Sequence, residues 1–177
     1  QDLSKLIELN VNFLPSVVLT GVGKLKNLTK FEASAVGLKD CTIVSELPKL
    51  NYLNLNGNEL KTIDCLRDLP ELNYVDIAEN KELVDLAPLT KAKELEVLFA
   101  YGTGVVTVDP LKENIFLALL DLSETKVTTV EGLARLRRLR VLTLDKTPAA
   151  AVLDKTQPVC SKDTKSEVLK TFCGIKP

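Results

Sequence analysis

Seven pairs of apolar residues, each pair split by a single residue, recur along the chain: Leu9/Val11, Phe31/Ala33, Leu53/Leu55, Val75/Ile77, Leu98/Ala100, Leu120/Leu122 and Leu142/Leu144. Their first members lie 22, 22, 22, 23, 22 and 22 residues apart. Further anchors stand three and six residues upstream of the pairs, as Leu50 and Leu47, Leu72 and Leu69, and Leu139 and Leu136. Downstream of the third pair the spacing runs on through Leu60, Ile63, Leu66 and Leu69. The fourth copy carries one extra residue after Asn80, which accounts for the single 23. Strand side chains alternate, so each pair reads as a short strand with both apolar side chains on one face. One such unit cannot bury its apolar set alone. Stacked units share a continuous core and line up one parallel strand per repeat.

Three residues after the pair stand Asn58, Asn80, Thr103, Thr125 and Thr147. These side chains can bond backbone groups left open where the chain turns out of the strand. Their fixed register predicts a stacked polar ladder. The first two copies have Leu14 and Val36 there, so the ladder is expected to be missing at the N-terminal end.

Stretches such as LPKLNYLNLNGNELKTIDCL and LARLRRLRVLTLDKT resemble the leucine-rich repeat family. The period resembles the subclass shared by bacterial internalins and phosphatase-regulator-type proteins. Threonines in place of the repeat asparagine, and the segments Ala87-Pro88-Leu89 and Asp109-Pro110-Leu111, lean toward the internalin-like side. The resemblance covers residues 3 to about 147. It implies an α/β leucine-rich-repeat solenoid, right-handed and curved, of about seven repeats. Its parallel sheet would line the concave face, with extended or short helical segments on the convex side. It also implies binding rather than catalysis.

Residues 1–147 are expected to form the solenoid, with Leu3, Leu6 and Leu9 beginning a degenerate copy that serves as N-terminal cap; a missing upstream segment is the alternative. Residues 148–177 leave the repeat pattern and are expected to cap the other end within the same domain. There Asp163-Thr164-Lys165-Ser166 precedes Val168, Leu169 and Phe172, the pattern of a short capped helix over the open core. Cys160 and Cys173 bracket that helix, and a disulfide between them would staple the cap; two free thiols are the alternative. Cys41 occupies the same inward position as Ile63 and reads as a small core residue. Cys65, two positions beyond Ile63, need not face it, so a Cys41–Cys65 bond is not the expected pairing.

Residues before, between and after each apolar pair should point out of the sheet. The row before reads Glu8, Lys30, Tyr52, Tyr74, Val97, Leu119, Val141. The row between reads Asn10, Glu32, Asn54, Asp76, Phe99, Asp121, Thr143, and the row after carries Tyr101. All three tyrosines fall on this face, and the first row is apolar from Tyr52 to Val141. Strands about 4.8 Å apart would make this a stripe roughly 20 Å long. Contiguous apolar surface rimmed by polar groups marks contact sites, and tyrosine is enriched at interface hot spots. The expected protein-binding residues are Tyr52, Tyr74, Asp76, Val97, Phe99, Tyr101, Leu119 and Asp121. Acidic neighbours (Glu32, Glu79, Glu124, Asp145) favour a protein partner with basic residues. Cross-strand stacking that only steadies the sheet is the competing reading.

Composition narrows the function further. The 177 residues carry a net charge of -1, which argues against a nucleic-acid partner. Histidine is absent, removing histidine triads and the commonest transition-metal ligand. No apolar run reaches the roughly 18 residues of a membrane span, so no membrane insertion is expected. Methionine is also absent, so the chain is expected to begin either after a cleavage or at an arbitrary boundary within a longer protein, and any signal peptide is invisible in it. Arg135, Arg137, Arg138 and Arg140 read as the solvated flank of a buried leucine set, with an anion contact as the rival. Asn27-Leu28-Thr29 is a formal glycosylation sequon. The expectation is a monomeric, non-enzymatic recognition module without cofactors, secreted or on a cell surface. The alternative is an intracellular scaffold or regulatory subunit.

Overall fold

A computed structural model describes residues 3–14, 18–152 and 166–172. Each apolar pair begins in a three-residue strand: β1 (Glu8–Asn10), β2 (Lys30–Glu32), β3 (Tyr52–Asn54), β4 (Tyr74–Asp76), β5 (Val97–Phe99), β6 (Leu119–Asp121) and β7 (Val141–Thr143). They form one parallel sheet in chain order. Registered partners are the residues the repeat aligns, including Tyr74 with Val97 across the longer interval. The extra residue is absorbed outside the strands, in a turn where the Leu83 N–H donates to the Asn80 carbonyl at 3.0 Å. The next repeat makes room with Gly104, where a Cβ would lie 3.1 Å from the Lys81 carbonyl oxygen.

The chain returns through one-turn 3-10 segments, such as Thr42–Val44, Asp64–Leu66 and Glu131–Leu133. Strand centres and return-side leucines interlock into one core. Phe31, Leu53, Val75, Leu98 and Leu120 are fully buried, as are Leu47, Leu72, Leu89, Leu111 and Leu136. Burial fails at the N-terminal end, where Ile7 and Phe13 are 57% and 72% exposed. In all seven repeats the fourth residue after the strand centre has positive φ: Phe13, Ala35, Gly57, Glu79, Gly102, Glu124 and Lys146. Only two are glycine, so the solenoid imposes a left-handed turn even where the side chain disfavours it.

The polar ladder closes these turns in two chemically different ways. Asn58 Nδ2 donates to the Leu55 carbonyl and to the Ala33 carbonyl of the preceding repeat, each at 2.8 Å, while its Oδ1 accepts from the Val36 and Leu38 N–H groups. Asn80 likewise donates to Ile77 and Leu55, and accepts from the Leu60 N–H. Thr103, Thr125 and Thr147 donate only within their own repeats, to Ala100, Leu122 and Leu144. Asparagine therefore ties neighbouring coils together, whereas threonine closes its own turn.

At the C-terminal end Thr147 also accepts the Ala150 N–H at 3.1 Å, capping α1 (Pro148–Val152). Helix α2 (Glu167–Phe172) follows Ser166, whose Oγ accepts the Leu169 N–H at 3.4 Å. Ser166 N–H donates to the Ala134 carbonyl, and Leu169 is buried in the core. The short helix expected over the open end is thus present. Cys160 and Cys173 lie outside the described residues.

Cys41 and Cys65 correct the sequence reading: they form a disulfide with Cα atoms 5.6 Å apart. Cys65 sits in the middle of the 3-10 turn Asp64–Leu66, and Cys41 directly precedes the equivalent turn one repeat earlier. A 3-10 turn rises only about 2 Å per residue, so an offset of two positions displaces the cysteines by roughly 4 Å along the turn and leaves the stacked coils within disulfide reach. The closed loop is long enough for the bond to contribute about 3.5 kcal/mol by the chain-entropy model.

The ladder yields a graded expectation. Asn80→Ala, which strands buried carbonyls and an amide in two repeats, should lower unfolding stability by about 3 kcal/mol; Thr103→Val, which removes one hydroxyl donor, should cost about 1 kcal/mol. Urea unfolding of both variants checks the order, and equal costs would contradict the inter-repeat role of Asn80.

Candidate functional site

Parallel register brings the eight expected binding residues onto one face. Tyr52, Tyr74, Val97 and Leu119 form one row, and Asp76, Phe99 and Asp121 form the next. All of these, and Tyr101, are half-buried. The rings are mutually ordered: Tyr52 and Tyr74 stack with centroids 4.1 Å apart and planes within 7°, and Phe99 tilts against Tyr74 at 5.8 Å. Lys30 Nζ lies 4.6 Å from the Tyr52 ring centroid and pairs with Glu32 at 2.7 Å. Burial and the neighbouring Tyr52 hydroxyl hold the Tyr74 pKa well above the usual tyrosine value.

Tyr101 has a structural duty that the sequence did not reveal. Its hydroxyl oxygen accepts a 3.1 Å hydrogen bond from Asn56 Nδ2, two strands away. Ala78, on the intervening repeat, is fully buried although its row faces outward. A side chain larger than alanine at 78 would obstruct that reach. The signal available in the sequence was the lone alanine between Asn56 and Tyr101 in an otherwise polar row.

The carboxylates are also partly structural. Asp76 Oδ1 accepts the Ala78 N–H at 3.1 Å and a longer contact from Asn56 at 3.4 Å, and Asp121 Oδ1 accepts the Ser123 N–H at 2.9 Å. Asn10 and Asn54 make the same turn closure with Asn12 and Asn56. Burial nevertheless raises the Asp76 pKa above its ordinary value, opposed by those hydrogen bonds and reinforced by Asp121. The lysines of the rim are already neutralised, Lys30 by Glu32 and Lys146 by Glu124 at 2.6 Å. Among the described residues, Asp76 and Asp121 have no cationic partner.

Other features stand away from this face. Arg135, Arg137, Arg138 and Arg140 are exposed beside buried Leu133, Leu136 and Leu139, and Arg138 lies 4.4 Å from the Phe116 ring centroid. The Asn27 amide donates to the Ser4 carbonyl at 2.8 Å, so the sequon nitrogen is engaged. Asn114, missed in the sequence, is buried on the return side and donates to the Leu89 and Ala92 carbonyls. It is a polar residue in a column that elsewhere holds Leu25, Leu47, Leu69, Ala92 and Leu136. Among the described residues, no helix is long and apolar enough to cross a membrane.

Internalin C2 of Listeria monocytogenes str. 4b F2365 superposes with a TM-score of 0.79 at 25% identity, over 85% of this chain and 69% of that one. The chain has the leucine-rich-repeat fold. An internalin of the same strain, inlF, matches this leucine-rich repeat chain with a TM-score of 0.65 at 22% identity, over 85% and 53% of the two chains. A leucine-rich repeat protein of Leptospira interrogans gives 0.66 at 20% identity, over 75% and 38%. In sequence, the acidic leucine-rich nuclear phosphoprotein 32 family member A of Drosophila melanogaster is 32% identical over 106 residues, which is 59% of this chain and 33% of that protein. Its counterpart in Drosophila pseudoobscura pseudoobscura matches equally. The leucine-rich repeat chain thus spans about a third of the length of these curated relatives. No family model matches it. The likenesses support a protein-interaction module in general.

Asp76 gives the site a pH signature. A raised folded pKa means that the fold prefers the protonated form. The Asp76 contribution is therefore full below the ordinary carboxylate range and is lost as pH rises through the raised value. Asp76→Asn keeps the acceptor oxygen and removes that loss. The variant should exceed the parent in stability at about pH 7 and converge with it near about pH 3, as read from urea midpoints.

Proposed function

We propose that this chain is a non-catalytic protein-recognition module that holds its ligand on the sheet face, across Tyr52, Tyr74, Asp76, Val97, Phe99, Tyr101, Leu119 and Asp121. The observation that carries the reading is the registered aromatic and aliphatic row, half-buried and rimmed by carboxylates. Such a surface gives up little side-chain entropy on binding, because its rings are already stacked. Its partner is a protein presenting basic residues, and the module acts as a monomer. Photo-crosslinking tests the face. Benzoylphenylalanine in place of Leu119 should yield protein adducts that excess unlabelled chain suppresses, whereas the same probe in place of Val106, exposed off the sheet face, should not. Adducts as strong from position 106 would contradict the assignment.

The Cys41–Cys65 bond favours work in an oxidising compartment, secreted or at a cell surface. A second reading, an intracellular scaffold, draws on the relative whose name describes a nuclear phosphoprotein. Intact mass before and after reduction, on alkylated protein from its native source, separates them. A closed Cys41–Cys65 bond is expected; free thiols at both positions would favour the intracellular reading.

A further inference from the structure

Within the sheet face, one place combines charge and aromatic surface in a way the rest does not. Asp76, Phe99 and Asp121 are consecutive registered partners on β4, β5 and β6, so a phenyl ring stands between two carboxylates in one row. Adjacent strands are about 4.8 Å apart, which places the two aspartate anchor points roughly 10 Å from one another. The Tyr74 ring, 5.8 Å from Phe99, walls one side. Neither aspartate meets a cation among the described residues, whereas the nearby Glu32 and Glu124 each hold a lysine. The hydrogen bonds to Asp76 and Asp121 engage only one oxygen of each carboxylate.

We propose that Asp76, Phe99 and Asp121, walled by Tyr74, form a subsite for an arginine side chain of a basic protein partner. The inference rests on the sheet-face reading above and specifies its central contact. A guanidinium is planar, so it can lie on the Phe99 ring while its edges donate toward the carboxylates on either side. Two charge-assisted hydrogen bonds of about 2.8 Å each, added to the width of the guanidinium, span a gap of this order. A lysine ammonium is a compact point charge that can pair with one carboxylate while leaving the other unmet. A divalent cation needs its oxygens within about 2.6 Å, which the intervening ring opposes. Because burial already makes the Asp76 charge unfavourable, a cation delivered there relieves a cost present in the free protein.

The test uses the whole chain, labelled with nitrogen-15, and two defined peptides: acetyl-Gly-Arg-Gly-amide and its citrulline counterpart, which has nearly the same shape without the charge. The arginine peptide should shift amides around Asp76, Ala78, Phe99, Asp121 and Ser123. It should bind about fivefold more tightly than the citrulline peptide, and the advantage should fall with added salt. Asp76→Asn with Asp121→Asn preserves the acceptor oxygens of both turns and should erase the advantage while the spectrum stays folded. Phe99→Leu should weaken the arginine peptide with both carboxylates intact. Equal binding of the two peptides, shifts centred instead on Glu124 and Asp145, or an undiminished advantage in the double variant would each overturn the subsite. So would self-association in light scattering that the double variant abolishes, since the occupant would then be a second copy. If the double variant keeps the Leu119 crosslinks, the subsite fails and the sheet-face reading stands; if the parent lacks those crosslinks, the broader reading fails.

Discussion

A coil of about 22 residues that puts leucines on both its strand and its return segment has no way to bury them by itself. Burial comes only when a second coil lies against it in the same register, so that each leucine column is closed by the next. Everything else in this protein depends on that stacking. It explains why strands of only three residues persist, and why the core is continuous from Val11 to Leu144. Backbone bonds between coils and the side chains of Asn58 and Asn80 hold the register that the apolar columns demand. Where threonine replaces asparagine, the inter-coil tie is lost but the turn stays closed.

The same stacking creates the candidate site without any residue being arranged for it individually. Side chains one period apart become neighbours, so a tyrosine at one position and another one period later become a stacked pair. The outward rows serve two purposes at once. Asp76 and Asp121 close turns of the backbone and still offer a carboxylate oxygen to the surface, while Tyr101 covers Ala78 and also widens the apolar stripe. Such double duty means that an alanine scan of this face would mix folding with recognition. Isosteric changes separate the two.

Much of the fold was legible because periodicity survives substitution: strand positions, outward rows, the polar ladder and the C-terminal helix all follow from spacing. The features that escaped depend on how one coil leans on the next. The two-position offset of Cys65 from the repeat position of Cys41 does not tell how closely stacked 3-10 turns bring the two sulfurs, and there they meet. The Tyr101–Asn56 bond joins residues 45 apart in the chain, and no local pattern announces it. Helix α1 was readable in principle, since Thr147-Pro148 followed by alanines is a helix start, but it was overshadowed by the end of the repeat.

By itself the sequence determined the number of coils, the residues that enter the core and the rows that face outward, because a fixed period and strict alternation leave one solution for each. Only the tertiary structure decided which sulfurs meet, which tyrosine is tied down, and which aspartates lack a cation. Those outcomes depend on side-chain directions and lateral distances between coils, quantities that spacing along one chain does not encode.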